Sequence, residues 1–161
     1  MNRKVHGALL RAFRRLPLRV RLGAVHLFNP SYTVGAMCVI ERNDGAILLV
    51  QHSYRPRWGI PGGLCRAREA VDDGARREVR EEVGLAVELL GEPAVVVDPF
   101  ERRVDVVYAA RAANPTAIPR PVSAEIVTCR WFSRDELPDL QHETTSALAA
   151  LARLRGNGTT V

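Results

Sequence analysis

GLCRAREAVDDGARREVREEVGL, residues Gly63 to Leu85, sets carboxylates, one arginine and bracketing glycines at fixed intervals. Its skeleton is Gly63, Glu69, Arg77, Glu78, Val79, Glu81, Glu82, Gly84 and Leu85. At about 3.6 residues per helical turn, positions three and four apart are neighbours, so Glu78, Glu81 and Glu82 converge on one face. Val71, Ala75, Val79 and Val83 fall on another face, which can pack against a sheet. Gly84 suits the position just past a helix, where a left-handed conformation carries no Cβ penalty. The pattern predicts a helix over Val71 to Val83.

Three clustered carboxylates repel by about a few tenths of a kcal/mol per pair when solvated, and by up to about 4 kcal/mol at 4 Å in partial burial. A positive partner is required. Mg²⁺ or Mn²⁺, hard ions that take carboxylate, carbonyl, water and phosphate oxygens, suits this donor set, and Arg77 can pair with Glu81 at helical spacing. Most glutamate and arginine mixtures are merely solvated helix faces with weak ion pairs. The full spacing sets this segment apart: at residue frequencies of roughly 5 to 8%, it arises by accident with a probability on the order of one in ten million.

The segment resembles the signature box of the Nudix hydrolases, G-x5-E-x7-R-E-U-x-E-E-x-G-U with U aliphatic, and matches it at every position. Trp58-Gly59-Ile60-Pro61-Gly62-Gly63 is similar to the family's lead-in. Glu125-Ile126, Trp131-Phe132 and Glu136-Leu137-Pro138 resemble a downstream pattern, so the likeness runs from about Tyr32 to Leu140. The resemblance implies an α/β (α+β) Nudix-type α/β/α sandwich with a mixed β-sheet. It also implies Glu78, Glu81 and Glu82 as metal ligands, with the Gly62 carbonyl as a further one. Glu78, Glu81 and Arg77 become the expected catalytic residues, Glu78 as candidate base and Arg77 as the orienting cation. Glu69 is expected to tie the loop to the helix. Two positions depart from the usual family pattern: Arg68 stands where members commonly carry Gly, and Gly74 where they carry Ala. Gly74 costs about 1 kcal/mol relative to Ala inside a helix, which implies close packing or a soft spot there.

Outside the box, Glu125 is a candidate further ligand or general base, with an exposed loop glutamate as the alternative. Arg55 and Arg57 can reach phosphates, and Gly63 lets backbone approach one; solvated loop arginines are the plainer reading. Phe100 and Tyr108 can stack a base, although core packing suits Tyr108 better. The four histidines show no metal-ligand spacing and receive no role.

At 161 residues and 47% apolar content, the chain is one ordinary globular domain. Cys38, Cys65 and Cys129 are odd in number and lack a Cys-x-x-Cys pair, which argues against a disulfide framework or structural zinc. Cys38 and Cys129 read as buried, while Cys65 in the box loop reads as exposed enough to oxidise. No stretch is apolar enough to cross a bilayer and no signal peptide is seen, so a cytoplasmic protein is expected. Charge is uneven: Arg3, Lys4, Arg11, Arg14, Arg15, Arg19 and Arg21 all precede the first acidic residue, Glu41, within a net charge of +5.

Residues 1–30 form a basic, amphipathic helical extension in this reading, with Val5, Ala8 or Leu9, Ala12, Phe13 and Leu16 at helical spacing and Pro17 closing it. Its apolar stripe packs on the domain or a partner subunit, a homodimer being one form; peripheral membrane contact is the less favoured use. Residues 31–155 form the Nudix-like domain and 156–161 a frayed tail. Tyr32 to Arg42 and Ala46 to His52 read as a hairpin about Asn43-Asp44-Gly45. Further strands are expected at Ala86 to Leu90, Ala94 to Asp98, Val104 to Arg111 and Ile126 to Phe132, with helices opening at Ser133 and spanning Thr144 to Arg155.

The leading expectation is a metal-dependent hydrolase that cleaves the pyrophosphate of a nucleoside diphosphate linked to another moiety, an ADP-ribose-like compound or a nucleoside triphosphate. The partner is then a small nucleotide, with no stable nucleic-acid partner. The alternative is a non-catalytic nucleotide-sensing module. An isoprenoid diphosphate isomerase on the same fold needs a catalytic cysteine, and Cys65 lacks that context.

Overall fold

Strand β1 (Thr33–Ile40) is apolar on both faces, because helices cover both sides of its sheet. Ala36, Cys38 and Ile40 point to one core and Met37 and Val39 to the other. Strand β2 (Ile47–His52) divides in the same way, with Leu48 and Val50 on one side and Ile47 and Leu49 on the other. The computed structural model describes residues 13–14, 16–21, 23 and 31–157.

Two short strands, β3 (Trp58–Gly59) and β4 (Gly62–Leu64), precede helix α1 (Val71–Val83). Next come β5 (Val87–Asp98), β6 (Arg103–Ala112), β7 (Ile126–Phe132), a 3-10 turn at Arg134–Glu136 and helix α2 (His142–Asn157). One sheet has the order β4-β1-β6-β5 and is mixed, since β1 and β6 run parallel while the β4 and β5 pairings are antiparallel. The second sheet, β3-β2-β7, is antiparallel throughout. Helix α1 presents Ala75, Val79 and Val83 to one core; α2 presents Ala147, Ala150 and Leu151 to the other. The α/β/α sandwich is therefore observed, with its strands split between two sheets.

Several expectations require correction. The hairpin is only a turn: β1 and β2 lie in different sheets, joined beside the turn by the single bridge Glu41 to Ile47. The strands expected at 86–90 and 94–98 are one strand, β5, with an irregularity between Leu90 and Ala94 beside Gly91 and Pro93. β3 and β4 are too short for a period to reveal them. Helix α2 begins two residues early and carries Gly156, which therefore belongs to the helix and not to a frayed tail; the part of that tail at 158–161 lies outside the described residues.

The chain divides into two compact units, Met1–Tyr32 and Thr33–Val161. In the first, Pro17 stands at the start of a helical turn over 18–21, and its carbonyl accepts from Val20 and Arg21. The expected helical positions Val5, Ala8, Leu9 and Ala12 lie outside the described residues. No helix among the described residues is long and apolar enough to cross a membrane.

Candidate active site

Helix α1 runs over the predicted span and ends at Gly84, whose φ of 69° is left-handed and whose N–H donates to the Arg80 carbonyl. Its acidic ridge is organised by Arg77. The Nε and Nη2 of Arg77 donate to the two Glu69 oxygens at 2.7 and 2.8 Å, and its Nη1 donates to Glu78 Oε1 at 2.6 Å and Glu81 Oε2 at 3.0 Å. A fifth bond, 3.2 Å to the Leu64 carbonyl, ties this arginine to β4. Planar donors and bidentate pairing make an arginine apt for this work.

Glu69 also accepts the Arg66 N–H at 2.7 Å, and together Arg77 and this N–H hold its carboxyl at about 2, against an ordinary 4.5. A depressed carboxyl stabilises the fold fully above the unfolded value, and the contribution is lost as pH falls through the folded one. Glu69→Gln is therefore expected to lower the urea midpoint at pH 6, with the gap from native closing as pH falls from about 4.5 toward 2. A gap independent of pH would contradict this linkage.

Glycines make room for the ridge. A Cβ on Gly63 would lie 2.6 Å from the Glu78 carboxyl carbon, so that carboxylate is seated against the β4 backbone. A Cβ on Gly74 would stand 3.1 Å from Glu69 Oε2 and 3.3 Å from Cys65 Sγ, which accounts for a glycine inside the helix. Arg68 holds a φ of 68°, the left-handed region where glycine is at ease. Arg68→Gly is expected to stabilise by about 0.5 to 1 kcal/mol and to raise Tm by roughly 1 to 4 °C in a melting experiment. A lower Tm would contradict it.

Glu82 is buried at 6% exposure. Its Oε2 accepts the Gly62 N–H at 3.1 Å and its Oε1 stands 3.5 Å from His52 Nε2. Burial pushes its pKa up, opposed by His52 and the Gly62 N–H. Gln141 continues the network: its Oε1 accepts from Arg55 and its Nε2 donates to the Arg57 carbonyl, which fixes the amide's orientation. The same Nε2 faces His52 Nδ1 at 3.3 Å, so Nδ1 is the acceptor and Nε2 presents its hydrogen to Glu82.

These groups share a cleft of about 490 Å³. Glu78, Glu81 and Glu82 line it from the helix, Gly62 and Gly63 from β4, Arg55 and Tyr54 from the loop after β2, and Glu125 from the loop before β7. Arg55 donates to Glu143 at 2.8 Å. Burial alone would raise the Glu143 carboxyl; its own backbone N–H, Arg55 and the nearby Arg103 bring it below the ordinary value. Arg57 does not line the cleft: its side chain is exposed, and its carbonyl is what the site uses. Phe100 is almost fully exposed and outside the cleft, and Tyr108 packs against the α1 core.

The donor set fits a hard divalent ion, being carboxylate oxygens beside an approachable backbone. Among the described residues no three His, Cys, Asp or Glu side chains are gathered closely enough to enclose one. Glu81 is half-exposed and bonded to Arg66 at 2.9 Å as well as to Arg77. Exposed ion pairs of this kind contribute about 0 to 1 kcal/mol, so the Arg66 contact holds Glu81 only weakly.

His52, Gln141, Arg66 and Arg103 were not singled out in the sequence. His52, Gln141 and Arg103 are brought in by strands or loops remote from the box, where a polar residue beside an apolar strand is the only sign, and Arg66 stands at one of the box's unspecified positions. The cysteines take no part in the cleft lining. Cys38 is buried, its thiol pushed up to about 12 by desolvation, whereas Cys65 and Cys129 are half-buried.

Comparison with known proteins agrees with this geometry. Residues 31–152 match the NUDIX domain. A MutT-like protein from Streptomyces ambofaciens is 28% identical over 129 residues, 80% of this chain and 81% of that protein. An 8-oxo-dGDP phosphatase from Homo sapiens is 29% identical over 117 residues, 68% of this chain but only 34% of that longer protein. Among solved structures, an ADP-ribose pyrophosphatase from Streptococcus suis superposes with a TM-score of 0.65 at 29% identity, covering 81% of this chain and 96% of its own. A box complete at every position, the sandwich that carries it and a match over most of the length lead to one family: the chain belongs to the Nudix hydrolases.

Proposed function

We propose that the chain is a divalent-metal-dependent pyrophosphohydrolase of nucleoside diphosphate derivatives, with ADP-ribose-like compounds and nucleoside triphosphates as its candidate substrates. The observation that carries this reading is the meeting, in one open cleft, of the α1 carboxylates with Arg55, Arg66 and Arg103. Acidic groups suited to a cation and basic groups suited to phosphate oxygens are what a phosphoanhydride requires. The relatives named for ADP-ribose and for an 8-oxo-purine nucleotide support the substrate class.

Glu78, Glu81 and Glu82, with the Gly62 carbonyl, would hold Mg²⁺ or Mn²⁺. When bound, such an ion neutralises phosphate charge and makes a coordinated water more acidic. Arg77 holds Glu78 and Glu81 on the cleft side of the helix. Glu78, seated against Gly63, is the candidate acceptor of the water's proton, and Glu125, exposed on the opposite loop, is the second candidate. His52 and the Gly62 N–H restrain Glu82. Arg55 stands ready to exchange Glu143 for a phosphate oxygen.

The test is a panel of ADP-ribose, other nucleoside diphosphate conjugates and nucleoside triphosphates, incubated with Mg²⁺ or Mn²⁺ and resolved by chromatography. Release of a nucleoside monophosphate from at least one compound is expected. No product from any of them with either metal would contradict the proposal.

A further inference from the structure

Among the residues that line the cleft is one from β6, Arg103, which is paired with a carboxylate that the box does not contain. Arg103 and Asp105 are two apart on β6 and therefore share a face. Arg103 Nε donates to Asp105 Oδ1 at 2.7 Å. Asp105 is only 5% exposed, a position that costs stability unless a cation and hydrogen bonds compensate. The space for it is made by Gly35, its direct neighbour on β1: a Cβ there would come within 2.1 Å of the same Oδ1. A buried carboxylate fitted beside a glycine thus anchors one guanidinium by its Nε.

What that guanidinium does not do is equally informative. The cleft holds four arginines, Arg55, Arg66, Arg77 and Arg103. Arg77 is committed through all three nitrogens, while Arg55 and Arg66 each spend an Nη on a carboxylate. Arg103 is tied through Nε, and among the described residues neither of its Nη groups donates a hydrogen bond. Its charge is felt by Glu143 and Tyr54, both of which line the cleft. A guanidinium anchored by its inner nitrogen, with its outer fork open to a cleft, matches the geometry of a phosphate.

We propose that Arg103, braced by Asp105 in the slot left by Gly35, is a substrate-binding residue that grips a phosphate of the nucleoside diphosphate from β6. The inference rests on the pyrophosphohydrolase reading above. Arg103 acts on binding and Asp105 positions it; neither takes part in proton transfer.

The experiment compares the native 161-residue chain with Arg103→Gln, Arg103→Lys and the double variant R103Q/D105N. The double variant removes the buried carboxylate together with its cation, so the fold is not left with an unpaired charge. Calorimetry with ADP as probe, in EDTA, reads phosphate binding; kcat and KM with Mg²⁺ are read on whichever nucleotide the panel identifies. Loss of a charge-assisted pair is expected to raise Kd for ADP and KM by about 10- to 100-fold in both glutamine variants, with kcat within about threefold of native. Lysine, which keeps the charge and loses the fork, should recover part of the affinity. The double variant should melt close to native yet bind as poorly as Arg103→Gln. A folded variant lacking Arg103 that keeps the native Kd and KM overturns the inference while leaving the hydrolase reading intact. A native chain that neither binds ADP nor hydrolyses any nucleotide overturns both.

Discussion

Glu82→Gln is expected to lower kcat/KM by about 10³-fold while the protein stays folded. Glu82 is a proposed ligand whose charge is kept in a buried position, between the Gly62 N–H and His52. Glutamine preserves shape and an oxygen for Gly62, but it removes the negative charge that a divalent ion requires. A metal supplies several kcal/mol of charge stabilisation during phosphoryl transfer, and each 1.36 kcal/mol is about tenfold in rate. Stability should fall by about 1 to 3 kcal/mol, because the glutamine NH2 would face the ring N–H that His52 presents, donor to donor. Steady-state kinetics with saturating Mg²⁺, beside thermal melting, checks this; a folded variant with near-native turnover would remove Glu82 from the site.

The second large effect falls on the fold. Gly62→Ala would place a Cβ 2.6 Å from the Ala36 carbonyl oxygen and 2.8 Å from the Met37 Cα. Both are backbone atoms of β1, paired with β4 over Met37 to Gly62 and Ala36 to Gly63, and they cannot swing aside. Crowding of this kind costs about 3 kcal/mol, which for a chain of this size lowers Tm by roughly 6 to 12 °C. The neighbouring Gly63→Ala makes a useful contrast: there the nearest atoms belong to the Glu78 carboxylate, the mobile end of a side chain. That variant should remain near native in Tm and lose activity, whereas Gly62→Ala should lose the fold first. A Tm for Gly62→Ala within about 2 °C of native would contradict the close approach of β1 and β4.

Much of the site was legible because it is local. The 3.6 period placed Val71, Ala75, Val79 and Val83 on the packing face and left three glutamates together, and Gly84 marked the end. The apolar runs in β1 and β2 marked strands, while their covering on both faces emerged only with the two cores. Strand partners were not legible in the same way. Asn43-Asp44-Gly45 does turn the chain, and the Arg42 to Asp44 pair closes it, yet β1 leaves that turn to pair with β6 and β2 to pair with β7. Turn chemistry is local, while partner choice depends on which apolar faces the whole chain must cover. The same limit hid His52, Gln141 and Arg103, whose roles arise only when distant segments meet. The Gly74 and Arg68 departures were visible as anomalies, and structure supplied their meaning: one leaves space for Glu69, the other occupies a left-handed turn.

Mn²⁺ binding followed by electron paramagnetic resonance tests the central claim most directly, because it reads the ion itself and not its consequences. Titration into the native chain is expected to suppress the free-ion signal, and the variant Glu78→Gln/Glu81→Gln/Glu82→Gln, shown to be folded by circular dichroism, should leave that signal at its buffer intensity. Equal suppression by the folded triple variant would show that the acidic ridge of α1 is not where the cation binds.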